Sequence, residues 1–154
     1  MLRRLPVVLL ATATLLASGC GGGSSSATLA EYQESVVTTR DRVDFALARI
    51  TRAKSKEEFL NRMDEASAAI DNAASDLDDA GVAEGFEGET SRLSDSLHQL
   101  SVDLSATASD IRQPDFRGLV TGAQGLSFES WDDANRALAS LIGQGIEVDL
   151  IARH

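Results

Sequence analysis

The sequence contains little of the chemistry on which most exported proteins and enzymes rely. Its 154 residues include one cysteine, two histidines and two prolines, and aromatic residues make up 5%. A single cysteine excludes a disulfide within the domain, so packing alone must hold the fold together. Two histidines offer few candidates for a general base or a histidine-rich metal site.

Positive charge is scarce as well. The chain has 14 lysine and arginine residues against 24 acidic residues, a net charge of −10 at pH 7. Only two of the basic residues, Lys54 and Lys56, are lysines. Such an acidic surface repels phosphate backbones, so nucleic acid is not expected as a partner.

The first 19 residues have the three parts of a secretory signal peptide. Two arginines lie within residues 1–4, an apolar stretch runs from Leu5 to Leu16, and small residues follow at positions 17–19. An apolar helix of this length would extend about 18 Å, which is too short for a hydrocarbon core of about 30 Å. The segment therefore predicts export rather than a permanent membrane span.

The cysteine follows directly. The stretch Leu16-Ala17-Ser18-Gly19-Cys20 resembles the lipobox of bacterial lipoproteins, although its leucine stands one position earlier than in the commonest form. The resemblance implies cleavage between Gly19 and Cys20, a covalent diacylglyceryl lipid on Cys20, and a location on the extracytoplasmic face of the cell membrane. Two acyl chains suffice for stable anchoring. The alternative is an ordinary signal peptide followed by a free or intermolecularly paired thiol.

Residues 20–27 then comprise the lipidated cysteine and a linker, with GGGSSS at positions 21–26. This composition is typical of a flexible coil, and six such residues reach at most about 20 Å. Loss of the signal peptide leaves 12 basic and 24 acidic residues, a net charge of −12. Residues 28–154 are enough for one domain with its own core.

Apolar residues in this domain recur every three or four positions, the periodicity of a helix with one buried face. The first stripe consists of Leu29, Tyr32, Val36, Thr39, Val43, Ala46 and Ile50. The second follows a capping-box pattern over residues 55–58 and consists of Phe59, Met63, Ala66, Ile70, Ala73, Leu77 and Ala80. The third, which Pro114 ends, consists of Phe86, Thr90, Leu93, Leu97, Leu100, Leu104, Thr107 and Ile111.

The remaining residues predict a fourth helix less sharply. Three glycines between positions 118 and 125 weaken any helix over that stretch. Ser130, with Asp133 three residues later, favours a new N-cap and a helix from Ser130 to Gly143. Residues 114–143 therefore form either one kinked helix or a short helix followed by a firm one. The tail after Gly145 is expected to pack through Ile146, Val148 and Leu150.

Long helices joined by short links favour antiparallel neighbours. The expected fold is therefore all-α, an antiparallel up-down four-helix bundle after the signal peptide and flexible linker. A long coiled-coil oligomer is the alternative, and the breaks near residues 53, 81 and 114 argue against it.

Candidates for catalytic chemistry are few. His154 is the last residue of the sequence and is expected to fray. His98 follows Asp95 in a single D-x-x-H pair, whereas di-iron bundles use two Glu-x-x-His pairs and further inward carboxylates. No serine stands in a G-x-S-x-G or S-x-x-K context. We therefore expect no catalytic residue and no enzymatic activity.

An acidic segment at the end of the second helix is the candidate cation site. Counted as an EF-hand loop, residues 76–87 have acids at positions 1, 3, 9 and 12 and glycine at position 6, but alanine at positions 5 and 8. The helical stripe continues through the segment, which favours an acidic helix end closed by Gly81 over a calcium loop. The carboxylates considered for a weak cation site are Asp76, Asp78, Asp79, Glu84 and Glu87.

Trp131, the sole tryptophan, is expected to cap one end of the core, with contact to a partner as the alternative. Its segment, W-D-D-A-N-R-A-L followed by G-I, resembles small, uncharacterised actinobacterial lipoproteins. We expect a membrane-anchored, non-enzymatic interaction or scaffold module of the cell envelope, with an envelope protein as partner and no cofactor beyond the lipid. The alternative is a helical module that binds a ligand or a cation such as calcium.

Overall fold

The computed structural model of the chain describes residues 27–113 and 126–154. Its helices are α1 (Leu29–Ile50), α2 (Lys56–Asp79), α3 (Glu87–Arg112) and α4 (Glu129–Gly143), and these described residues contain no β-strand. The prediction of an all-α four-helix bundle is confirmed. The signal peptide, most of the linker and the segment 114–125 lie outside the described residues.

Each helix runs opposite to the next. The short turn 51–55 reverses the chain between α1 and α2. Asp64 near the start of α2 pairs with Arg112 at the end of α3. Ser130 at the start of α4 donates to Asp103 in the second half of α3, with 2.5 Å between the oxygens. These contacts establish the predicted up-down-up-down order.

The buried faces of the helices follow the predicted stripes and depart from them at helix ends. Leu29 is 54% exposed because it is the first residue of α1. Ala80 is exposed because α2 ends one residue before it. The largest fully buried side chains are Trp131, Tyr32, Leu47, Ile50, Met63, Ile70, Leu77, Leu93, Leu97, Leu100, Leu104 and Leu138.

The helix starts are capped in two ways. Thr28 and Glu31 form a complete capping box in front of α1. This T-x-x-E pattern was not among the predicted caps. At α2, Ser55 accepts the Glu58 N–H as predicted, but the Glu58 carboxylate accepts the Lys54 N–H at 2.7 Å rather than that of Ser55. Only half of the predicted box is formed.

The fourth helix begins one residue earlier than predicted. Its N-cap is Phe128, and Ser130 is a buried residue inside the first turn. Ser130 does not cap the helix because its hydroxyl is committed to Asp103 on α3. The firm second half of the predicted region is present, ending at Gly143 and followed by Gly145 at a φ of 100°.

Helices α1 and α4 are not direct neighbours. No Cα atom of α1 lies within 8 Å of one in α4. Residues 146–154, here called the C-terminal strap, hydrogen-bond to α1 on one side and to α4 on the other. The strap therefore acts as a fifth element that closes the bundle.

None of the helices in residues 27–113 and 126–154 is both long enough and apolar enough to cross a bilayer.

Candidate functional site

The residues predicted to carry the membrane anchor, Gly19 and Cys20, lie outside the described part of the chain. What the structure fixes is the point at which the chain enters the bundle. Helix α1 begins at Leu29, nine residues after Cys20, behind the Thr28 capping box. The end of the bundle nearest to Cys20 along the chain, here called the tether end, is formed by the start of α1, the α2–α3 turn and the end of α4.

The tether end is strongly acidic. Residues 27–37, 75–91 and 139–147 contain no lysine or arginine. Their nine carboxylates are Glu31, Glu34, Asp76, Asp78, Asp79, Glu84, Glu87, Glu89 and Glu147. All five carboxylates of the predicted cation site belong to this set.

Those five carboxylates do not converge. Helix α2 continues through Asp79, so the first residues of the supposed EF-hand loop are helical and point in different directions. Asp76 pairs with Arg42 on α1, whereas Asp78 faces His98 on α3. Glu87 accepts the Gly85 N–H at 3.0 Å. Within the described ranges, no group of three acidic, histidine or cysteine side chains is arranged to hold a metal ion.

The turn that follows α2 has the predicted closure. Gly81 has a φ of 76°, a left-handed conformation that glycine adopts without strain. The backbone at Gly81 therefore has the form predicted for a helix end and not that of a calcium loop.

His98 lies between two aspartates of the neighbouring helix. Its Nδ1 is 2.8 Å from Asp71 Oδ1, and its Nε2 is 3.6 Å from Asp78 Oδ2. The hydrogen bond to Asp71 and the two negative charges raise the pKa of His98 above its ordinary value, and partial burial opposes them. The attraction between His98 and these two aspartates connects α3 to α2.

The other histidine is also engaged. His154 Nε2 lies 3.0 Å from Asp44 Oδ1, although the residue was predicted to fray. The prediction was wrong because Asp44 on α1 holds the end of the strap. Neither His98 nor His154 hydrogen-bonds a serine or threonine hydroxyl in the described part of the chain, so the pairs there are histidine–carboxylate pairs.

Trp131 is a core residue. Its side chain is 1% exposed, and the guanidinium of Arg153 in the strap lies 5.8 Å from the ring centroid. Arg153 is in turn paired with Asp132 at 2.6 Å. The position agrees with the expectation that tryptophan caps the core, and the strap covers the face that a partner would otherwise contact.

The C-terminal strap is held mainly by side chains that bind its backbone. Asn135 on α4 binds Ile151 twice: its Oδ1 accepts the Ile151 N–H at 2.8 Å, and its Nδ2 donates to the Ile151 carbonyl at 3.2 Å. On the opposite side, Asp44 accepts the Ala152 N–H at 2.9 Å. This arrangement satisfies backbone groups that a helix or sheet would otherwise pair.

A charged contact fixes the middle of the strap. Arg40 on α1 donates from Nε to the Asp149 carbonyl at 3.1 Å, and its Nη2 lies 2.9 Å from the Asp149 carboxylate. Ile146 and Ile151 are buried beneath these contacts, and Leu150 is 47% exposed. The predicted packing of Leu150 is therefore wrong, because the extended strap turns Ile151 inward instead.

The end of the bundle opposite the tether end, here called the far end, has a different charge balance. Residues 47–62, 109–113 and 126–133 contain six acidic residues, Glu57, Glu58, Asp110, Glu129, Asp132 and Asp133. Their six basic residues are Arg49, Arg52, Lys54, Lys56, Arg62 and Arg112. Acidic and basic residues thus balance at the far end, whereas the tether end is strongly acidic.

Comparisons with known proteins were made at the level of family, sequence and structure. No family model, no curated protein and no solved structure matches this chain.

Proposed function

We propose that this chain is a lipid-anchored protein on the extracytoplasmic face of the cell membrane, and that its helical bundle is a non-enzymatic interaction module of the envelope. The observation that carries the proposal is the order of segments at the N-terminus. A basic start, an apolar stretch, small residues and then Cys20 occur in the order that export and lipidation require.

The position of the bundle supports this function. Helix α1 starts nine residues after Cys20, so the linker keeps the domain within about 30 Å of the bilayer surface even when fully extended. The segments that form the tether end contain nine carboxylates and no lysine or arginine, and two of the nine, Asp76 and Glu89, pair with Arg42 and Arg92 from outside these segments. Anionic headgroups repel such an end, which favours a bundle that stands away from the membrane.

The interior of the bundle supports an interaction role. The polar side chains buried in the described residues are all hydroxyl-bearing, namely Thr39, Thr90, Ser94, Ser101 and Ser130. Tyr32 is buried as well, and desolvation raises the pKa of its hydroxyl. This hydroxyl lies 2.6 Å from the Thr90 hydroxyl, which also donates to the Phe86 carbonyl at 2.7 Å. These buried side chains are suited to packing, so we expect exposed residues to recognise a partner protein.

The substitution Cys20→Ser tests the anchor. We expect labelled palmitate fed to the cells to enter the wild-type protein and not the variant, because serine offers no thiol for the diacylglyceryl group. Gly22→Ser is the matched control, since it changes the adjacent linker and keeps the cysteine. Labelling of Cys20→Ser at the wild-type level would refute the proposed anchor.

A further inference from the structure

Three of the basic residues in the described bundle differ from all the others. Within residues 27–113 and 126–154, they form no ion pair within 4.0 Å, and each is exposed: Arg52, Lys54 and Lys56. The other eight are each paired with a carboxylate, and they are Arg40, Arg42, Arg49, Arg62, Arg92, Arg112, Arg136 and Arg153.

The three unpaired cations are concentrated in one place. They occupy positions 52 and 54 of the turn between α1 and α2 and the first position of α2, and the two lysines are the only ones in the sequence. Of the two carboxylates next to the turn, Glu57 offsets one of the three positive charges, and Glu58 is engaged by other groups. Glu58 pairs with Arg62 and accepts the Lys54 backbone N–H, which lowers the pKa of its carboxyl. The free charge of the turn is therefore positive in a chain that is otherwise acidic.

The turn also lies at the end of the bundle that faces away from the anchor. Helix α1 has 22 residues and is about 33 Å long, and the chain enters at its other end. The seven residues between Cys20 and the Thr28 cap span at most about 25 Å. The anchored membrane and the cationic turn are thus separated by the length of the bundle.

We infer that the α1–α2 turn is a docking surface for an acidic segment of another envelope protein, an inference that rests on the proposed anchoring. Point charges on flexible side chains, with no aromatic residue among them, suit carboxylates presented by an extended peptide. The acidic tether end of a second copy has the complementary charge. In bundles that stand upright on their linkers, the tether end of every copy is next to the membrane and the turn is at the opposite end, so neighbouring copies do not bring the two together.

The docking surface is tested by peptide binding to the full chain in detergent. The probe is a fluorescein-labelled peptide of twelve glutamates, and the measurement is fluorescence anisotropy at low and physiological salt. We expect R52Q/K54Q/K56Q to raise the Kd at least fivefold and K54R/K56R to leave it unchanged. Equal binding by wild-type and R52Q/K54Q/K56Q, or no binding by wild-type at low salt, overturns the inference.

A second triple variant controls for net charge. R42Q/R92Q/R136Q removes the same number of positive charges from exposed residues that are paired with carboxylates. We expect its Kd to stay within twofold of the wild-type value. Equal weakening by both triple variants would mean that the peptide senses total charge, which overturns the docking surface. Circular dichroism verifies that each variant is folded.

The membrane is separated from a protein partner by a vesicle experiment. The Cys20→Ser chain, which lacks the lipid site, is mixed with vesicles of phosphatidylcholine and phosphatidylglycerol. Turn-dependent binding to these vesicles without turn-dependent binding to the peptide overturns the inference in favour of lipid. Because the peptide assay needs no membrane attachment, its failure is distinguishable from failure of the anchor, which palmitate labelling reports.

Discussion

His98 shows how much of the bundle is decided by single side chains. Asp71 and Asp78 approach it from α2, and Asp95 lies one turn earlier on its own helix. The hydrogen bond to Asp71 and the charges of Asp71 and Asp78 favour protonation of the imidazole in the folded protein and raise the pKa of His98, against the effect of partial burial.

We expect His98→Gln to lower the free energy of unfolding more near about pH 5.5 than near about pH 8.5. The folded pKa lies above the unfolded one, so the contribution is fully present below about 6.5 and disappears as the pH rises through the raised value. The side chain is 38% exposed, and solvent screening limits the effect to about 0.5 kcal/mol. Urea denaturation of both proteins at both pH values measures it.

A companion variant isolates the cause. In an Asp71→Asn/Asp78→Asn background, the effect of His98→Gln should become independent of pH, because the carboxylates that raise the pKa are gone. A loss of the same size at both pH values in the wild-type background would contradict this account.

Residue-scale features were predictable where a short motif specifies them. The Ser55 cap of α2 and the Gly81 turn both followed from local pattern. The contacts of His98 with α2 and of His154 with α1 join residues 27 and 110 positions apart. No local pattern encodes such pairs, because they depend on how the elements pack.

The C-terminal strap is the element that distinguishes this bundle from four helices alone. Asn135 carries its central connection through two hydrogen bonds to Ile151. Since Ile151 is 3% exposed, its backbone groups have little access to water if the asparagine is removed.

We expect Asn135→Ala to lower the free energy of unfolding by about 1–3 kcal/mol, because two backbone groups lose their partner. Urea denaturation of the full chain measures the change. Arg136→Ala is the matched control: it removes the neighbouring, exposed side chain and its surface ion pair with Asp133, and should cost under about 0.5 kcal/mol. Equal destabilisation by the two variants would show that the strap is not held at Asn135.

The helices were predictable because each repeats its apolar residues over several turns, and this repeat specifies both the helix and its buried face. The strap was not, since an extended segment held by Asn135, Asp44 and Arg40 has no period of its own. Asn135, in the segment W-D-D-A-N-R-A-L, was the one sequence feature that could have indicated this contact. It does not specify which backbone it binds, and Ile151 was displaced from the expected packing position by one residue.

At the scale of the whole molecule, the antiparallel fold sorts charge that is mixed along the sequence. Folding brings acids from three separate segments to the tether end, whereas the three cations without an ion pair in the described residues already lie together in the sequence, at positions 52, 54 and 56. The total charge was known from composition, but its division between the two ends depends on which helix ends meet. The proposed anchor relates this division of charge to the membrane, because the linker joins the bundle at its acidic end.

The central claim is that Cys20 is the lipidated first residue of the mature protein. Intact-mass spectrometry of the protein extracted from membranes tests it most directly. The account predicts a mass equal to residues 20–154 plus a diacylglyceryl group, with any further acylation located on Cys20 by fragmentation. A membrane-extracted species that retains residues 1–19, or one that begins elsewhere and carries no lipid, would contradict it.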